Sequence, residues 1–248
     1  MLADGEVLAF MPAQKNSADL AAIPFAELET SSPPAEQIFR QVRDAVLQMQ
    51  IRPGSLLSET EVGQRFGASR TPVREAFTRL REAGLIVTRP SRGNFVTRLS
   101  EPRLREAQFL RSAIETAVVI RLCKIGLGAE HLDRIKMSIS GQVTAIADNN
   151  DLDFQAQDDR FHTLLAAATG YPRTAMLLAQ EKTPLDRLRV LALSDRGHKA
   201  RLLSEHRDIL NAVRARDPAQ AQAAMARHLA SVLDLIADLR DADGDYFE

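Results

Sequence analysis

Between Pro33 and Arg98 the apolar positions recur first at helical spacing and then alternate; beyond Glu101 they return to helical spacing and keep it. Ile38, Val42, Val46 and Met49 predict an amphipathic helix, closed by the turn Arg52-Pro53-Gly54. Ser58 and Glu61 have capping-box spacing, Val62 and Phe66 give the next helix one apolar face, and Gly67 supplies a left-handed stop. A third helix follows, with Thr71 expected at the N-cap and Pro72 at the first helical position. It turns Val73, Ala76, Phe77 and Leu80 inward and leaves Arg70 and Arg74 pointing outward. After Gly84, Leu85–Thr88 and Phe95–Thr97 read as two strands around a tight turn at Arg89–Asn94. Three helices plus a β-hairpin predict a winged helix-turn-helix over residues 33–98. Arg92 and Gly93 fall at the wing tip, where a minor groove is within reach.

The remainder is rich in alanine, leucine, arginine and glutamine, with almost no strand signal. Helices are expected near 101–125, 129–148, 151–169, 172–181, 183–193, 198–216 and 218–241, punctuated by Gly126, Gly128, Gly170, Gly197 and Asp217-Pro218. The fold class is therefore mostly α: a winged helix-turn-helix followed by an all-α bundle of six or seven helices over residues 99–242, with a tail at 243–248. Residues 1–32 hold five acids, one lysine and two prolines without a sustained period; they read as a mobile arm, helical in part over 17–29.

Charge separates the two parts. The segment Pro33–Arg98 carries eleven arginines, no lysine and six acids, a net +5, whereas the whole chain is −1. A basic module on an acidic remainder fits binding to nucleic-acid phosphates, and arginine suits bidentate contacts to phosphate or guanine. The bland alternative, a capped surface helix with two solvated arginines, leaves that asymmetry unexplained. A single cysteine, Cys123, excludes an intrachain disulfide and fits a reducing cytoplasm. No apolar run approaches the roughly 20 residues of a membrane span.

Candidate chemistry lies among the later helices. Asp158 and His162 are four apart, which stacks a carboxylate and an imidazole on one helix face. His206 and His228 sit in or beside the apolar stripes of two further helices, while His131 and His198 begin helices and read as surface residues. A lone histidine on an apolar face is usually a hydrogen-bonded core residue. Three on separate helices, one with an aspartate a turn away, point to a divalent cation.

Residues 58–96, above all Ser-Arg-Thr-Pro-Val-Arg-Glu-Ala at 69–76, resemble the winged-helix signature of the GntR family of bacterial transcription regulators, FadR-type branch. The resemblance implies base or phosphate contacts from Ser69, Arg70, Thr71 and Arg74, with Arg92 and Gly93 in the wing. Thr60 stands where that branch often carries arginine. The pattern Asp158-x-x-Phe161-His162, Glu205-His206 and Met225-x-x-His228 resembles the all-helical FCD domain found behind such winged helices, over roughly residues 103–240. It implies that Asp158, His162, His206 and His228 hold Zn²⁺, with Ni²⁺ or Mn²⁺ as alternatives, beneath a pocket for a small carboxylate or sugar acid. Arg111 stands where the family presents an arginine to the effector; an ion pair with Glu115 one turn on is the equal alternative. Tyr171 replaces an asparagine common after Gly170, and Arg160, Arg187 and Arg189 read as solvated or interface charges.

Together these features predict a metabolite-responsive regulator, a repressor that binds a palindromic operator in double-stranded DNA as a homodimer. A metal-free pocket lined directly by the histidines is the nearest alternative. A metal-dependent hydrolase is the distant one: no further histidine or carboxylate has motif support as a general base, and a basic winged helix has no place in such an enzyme.

Overall fold

Pro34 opens the first helix, where its missing donor costs nothing, and Ile38, Val42, Ala45 and Val46 line that helix's buried face. In the computed structural model, which describes residues 17–192, 196–242 and 244–248, this helix is α1 (Pro34–Leu47). It is followed by β1 (Leu56–Leu57), α2 (Glu59–Phe66), α3 (Arg70–Glu82), β2 (Ile86–Arg89) and β3 (Gly93–Val96). The chain forms two units, one of Met1–Leu99 with Asp238–Glu248 and one of Ser100–Ala237, called here the head and the body.

In the head, the Ser58 side chain accepts a hydrogen bond from the Glu61 N–H at 3.3 Å, and Gly67 ends α2 with φ +59°, a conformation an L side chain rarely adopts. The third helix differs from its sequence expectation. Its cap is Ser69 and its first residue Arg70, so Pro72 lies in the first turn rather than at the first position. Proline is tolerated there for the same reason, because the first turn's N–H groups have no partner within the helix. Phe77, Leu80, Val73 and Ala76 of α3 are buried together with the α1 face, Val62, Leu57 and Val96.

The wing is a sheet of three strands in the order β1-β3-β2, all antiparallel, one more strand than the expected hairpin. Leu56 pairs with Phe95 and Ile86 with Val96. Residues 17–32 contain no helix. They run as an extended strap whose Leu20 and Ile23 are buried in the head core. Gln41 brackets the backbone of Ala26, Gln37 that of Glu29, and Arg65 donates to the Ile23 carbonyl at 3.0 Å. Residues 1–16 of the expected arm lie outside the described residues. Near the other end of the chain, Leu99 N–H donates to the Tyr246 carbonyl at 2.8 Å and its own carbonyl accepts from Glu248 N–H at 3.1 Å.

The body contains α4 (Glu101–Ile125), α5 (Ala129–Ala147), α6 (Asp151–Ala167), α7 (Pro172–Ala192) and α8 (Arg196–Arg214), and α9 (Pro218–Ala242) begins within it. The two helices expected at 172–181 and 183–193 are one. Pro184 lies inside α7 and removes a single helical donor without ending the helix. Val118, Val119 and Leu122 of α4, Phe161 and Leu165 of α6, Ile209 and Val213 of α8, and Met225 and Leu229 of α9 share one core. Around that core, each helix turns at least one polar side chain inward.

Candidate functional site

The head presents its chemistry outward. Ser69, Arg70, Thr71 and Arg74 are exposed at the start of α3, Arg92 is exposed in the turn after β2, and Gly93 is exposed as the first residue of β3. The side chains of Arg70, Arg74 and Arg92 make no hydrogen bond or ion pair among the described residues. Other arginines of the head are engaged in its structure. Arg79 pairs with Glu36 and lies over the Phe39 ring at 4.4 Å, Arg89 lies over Phe95 at 5.0 Å, and Arg65 holds the strap. The +5 of this segment is thus divided between scaffold and surface.

Asn94, which the sequence reading passed over, ties the wing to the helices. Its carbonyl oxygen accepts from Thr88 Oγ1 at 2.7 Å and from Arg81 at 3.4 Å, and its amide donates to Glu59 at 3.5 Å. Gly93 has φ +104°, and a Cβ there would lie 2.9 Å from a Leu56 methyl.

The body does the opposite. Asp158 and His162 of α6, His206 of α8 and His228 of α9 are all buried, and one ligand atom from each lies within 4.8 Å of the others. His228 Nε2 is 3.2 Å from His162 Nε2 and 3.3 Å from His206 Nε2; Asp158 Oδ1 is 3.4 Å from His206 Nε2. Each imidazole turns its other nitrogen to an acceptor outside the cluster: His162 Nδ1 to Glu115 of α4, His206 Nδ1 to Gln142 Oε1 of α5 at 2.8 Å, and His228 Nδ1 to Glu205 of α8 at 2.9 Å. The Gln142 amide donates to the Gln157 carbonyl at 3.4 Å, so its oxygen is the atom that faces His206. A carboxylate or amide oxygen can only accept, so each Nδ1 carries the proton. In the neutral rings the three Nε2 lone pairs then converge on one point beside a carboxylate oxygen. Lone pairs held that close repel unless an electron-pair acceptor lies between them. The donor set therefore fits a divalent cation, with an outer shell already fixing every imidazole tautomer.

Electrostatics support neutral rings at His206 and His228 and an ionised carboxylate at Asp158. Burial pushes His206 well below the ordinary histidine value, and the neighbouring His228 adds to this; burial also lowers His228. Burial alone would raise Asp158, but the Arg189 guanidinium beside it holds its carboxyl far below the usual range. Glu115 likewise stays ionised against its burial because Arg111 and His162 adjoin it.

The structure separates the remaining arginines differently from their sequence reading. Arg187 and Arg189, expected to be solvated or interface charges, are buried or nearly so. Arg189 binds Asp158 Oδ2 and Asp159 at 2.9 Å, and lies 3.6 Å from Asp186, so it fills the outer position for the one candidate ligand that is not a histidine. Arg160 is exposed, as expected. For Arg111 both readings meet: its Nε pairs with Glu115, and the residue also lines a cavity beside the cluster with Asp158, Arg189 and His228. His198, read as a surface residue, borders the same cavity. Tyr171 is half exposed and lies over the Arg121 guanidinium at 4.0 Å, so its departure from the familiar asparagine alters a turn and not the cluster.

Two family models match this chain: bacterial regulatory proteins, gntR family, over residues 34–96, and the FCD domain over residues 106–231. The HTH-type transcriptional repressor RspR of Escherichia coli K12 is 34% identical over 221 residues, covering 89% of this chain and 96% of its own. An uncharacterised HTH-type regulator in an unstable DNA locus of Streptomyces ambofaciens is also 34% identical, over 85% of this chain and 88% of its own. The solved structure of E. coli McbR/YncC superposes with a TM-score of 0.67 at 15% identity, covering 86% of this chain and all of that one, and so shares its fold. No helix among the described residues is long and apolar enough to cross a membrane.

Proposed function

This chain belongs to the GntR family of bacterial transcription regulators and carries an FCD domain behind its winged helix; from that premise we propose that it represses transcription and releases its operator when a small carboxylate enters a metal-containing pocket of the body. It is a regulator and not an enzyme, as its relatives are. The finer reading rests on one observation: three imidazoles and a carboxylate converge with every non-converging atom already engaged.

In this reading Ser69, Arg70, Thr71 and Arg74 contact bases and phosphates in a major groove, and Arg92 and Gly93 carry the wing along the adjacent minor groove. One α3 reads only a few base pairs, so a homodimer on a palindromic site in double-stranded DNA supplies the specificity, in the cytoplasm where the DNA lies. Asp158, His162, His206 and His228 hold Zn²⁺, or Ni²⁺ or Mn²⁺ where those are more available. The ion supplies a Lewis-acidic point for an anionic effector, and Arg111 offers its fork to the effector's carboxylate. An effector that binds one arrangement of the dimer better than the other shifts operator affinity by that difference.

Two measurements test the two halves. A gel shift on the chain's own upstream region is expected to lose its sequence-selective band when Arg70→Ala and Arg74→Ala are combined; an undiminished band overturns this account of readout. Elemental analysis of protein purified without chelator is expected to find one divalent ion per chain, lost in the His162→Ala/His206→Ala double variant. Near-zero metal in both proteins removes the metal and leaves the histidines as the pocket's own lining.

A further inference from the structure

Leu99 is the last residue of the head before the chain enters the body, and residues 245–248 come back to it. The Leu99 N–H donates to the Tyr246 carbonyl at 2.8 Å, the Leu99 carbonyl accepts from the Glu248 N–H at 3.1 Å, and Leu99 and Phe247 form a parallel β-bridge. Tyr246 and Phe247 are buried. Arg98 donates to the Phe247 carbonyl at 3.3 Å and lies 3.8 Å from Asp245, and the Arg52 guanidinium lies over the Tyr246 ring at 6.0 Å. Gly54 makes room for Arg98: its φ is +79°, and a Cβ there would lie 3.2 Å from Arg98 Nε. Residues 245–248 are thus fastened to the head by backbone, charge and ring contacts together.

The chain passes between head and body twice, once at Leu99–Ser100 and once within α9, whose residues from Asp238 onward belong to the head. Both passages lead into helices that hold the histidine cluster. The helix α4, which starts at Glu101, carries Glu115, the acceptor for His162 Nδ1, and α9 carries His228 itself. Within the body, Gln108 of α4 also donates to the Leu229 carbonyl of α9. With the contact at Leu99 closed, the residue before α4 and the residues after α9 are fixed to each other. With it open, α9 ends without a hold on Leu99. The contact lies outside residues 34–96 and 106–231, so membership of the family does not supply it.

Resting on the metal-site reading above, we infer that residues 245–248 are a clasp through which occupancy of the histidine cluster reaches the winged helix. A cation that gathers His162, His206 and His228 favours one placement of α9 against α4 over others. The clasp makes the head follow that placement, so cation and operator each alter the other's affinity by an equal factor. Residues 245–248 are neither ligands of the cluster nor among the arginines proposed to contact DNA. Their effect falls on the coupling and on neither site alone.

The test slackens the clasp without undoing it. Inserting Gly-Gly-Ser-Gly-Gly between Ala242 and Asp243 leaves Tyr246 and Phe247 free to keep their places in the head and adds about 17 Å of flexible chain before them. Zinc alone is the probe, and affinity for the chain's own upstream region is the readout. In wild type, one equivalent of Zn²⁺ is expected to change that affinity by about five- to 150-fold; in the insertion variant the change is expected to fall below about twofold. Zinc affinity, zinc-free operator affinity and melting temperature are expected to match wild type. A tail that only covers the head core would leave the response intact, so an insertion variant that responds as fully as wild type overturns the clasp and leaves the metal site standing. A second measurement needs no variant. In the wild-type operator complex, the Leu99 and Glu248 amides are expected to exchange with solvent at rates that differ with and without zinc, because opening the clasp frees one ligand from the other's influence. Equal rates overturn the inference, as does a wild type that binds zinc with no change in operator affinity. A wild type that binds no zinc removes the metal reading, and the clasp's role with it.

Discussion

Arg74 and Arg189 are chemically the same residue placed in opposite surroundings. Arg74 stands in water on the open face of α3 without a partner among the described residues. Arg189 is nearly buried in the body between Asp158, Asp159 and Asp186. The contrast extends to the two units that hold them. The head keeps the arginines proposed to contact DNA exposed and uncommitted, open to phosphate as a partner. The body withdraws its working side chains from water and engages each of them from behind, so that only the converging atoms remain to be satisfied. Recognition of a large anionic duplex needs the first arrangement, because charge in water is attractive at long range and inexpensive to keep. Holding a small ion or acid needs the second, because geometry is maintained only where each group is fixed by another.

The strongest way to break this comparison is to remove the same charge from both units. Arg189→Met leaves Asp158 buried beside two further carboxylates with no guanidinium, and should destabilise the protein by about 3–5 kcal/mol in chemical denaturation. Arg74→Ala should change stability by no more than about 0.5 kcal/mol, as expected for an exposed side chain without partners. If the two variants unfold alike, Arg189 is not the counter-charge its position implies.

The reverse holds for DNA. Arg70→Ala and Arg74→Ala should each weaken operator binding by about 1–3 kcal/mol, and loss of a phosphate contact should lower the slope of log affinity against log salt by about one. Measuring the slope for each variant separates an arginine that reads a base from one that holds a phosphate. A uniform loss across operator and random DNA identifies the second.

The two units also differ in how much of them the sequence discloses. The head's helices are marked by neighbours: Ser58 caps against Glu61, and Gly67 adopts the left-handed stop a few residues later. Its missed features are the non-local ones. β1 is two residues long and exists by pairing with Phe95 and Asn94, and the strap is held by Gln37, Gln41 and Arg65 from other elements. In the body the four converging residues were legible because Asp158 and His162 lie a turn apart and each histidine falls in an apolar stripe. Their outer partners were not. Glu115 is 47 residues from His162 and Gln142 is 64 from His206, and nothing local distinguishes either from an ordinary buried polar residue. The break expected between 181 and 183 is absent from α7, and Pro184 within that helix removes one donor, too little to end it.

Those outer partners provide a sharper test of the body's design. Glu115→Gln keeps the shape of the side chain but gives up the full charge facing His162 Nδ1 and Arg111. Zinc affinity, followed by competition with a chromogenic chelator, should fall about 10–100-fold while operator binding without zinc stays unchanged. Equal zinc affinity in wild type and variant means that the cluster holds metal through its converging atoms alone.

The smallest effect is expected at Tyr171, and it is informative because it is small. The ring lies over Arg121 at 4.0 Å, and Arg121 also donates to the Thr169 carbonyl at 2.9 Å, so the pair fastens the turn between α6 and α7. Tyr171→Asn removes one partly exposed cation–π contact, worth about 0.5–1 kcal/mol, and should lower the melting temperature slightly. Tyr171 is half exposed and is not among the residues that border the cavity or the cluster, so zinc affinity and acid binding should be unchanged. If either moves by more than about threefold, the turn after Gly170 communicates with the buried centre, and the separation drawn between an exposed rim and a self-contained interior is too sharp.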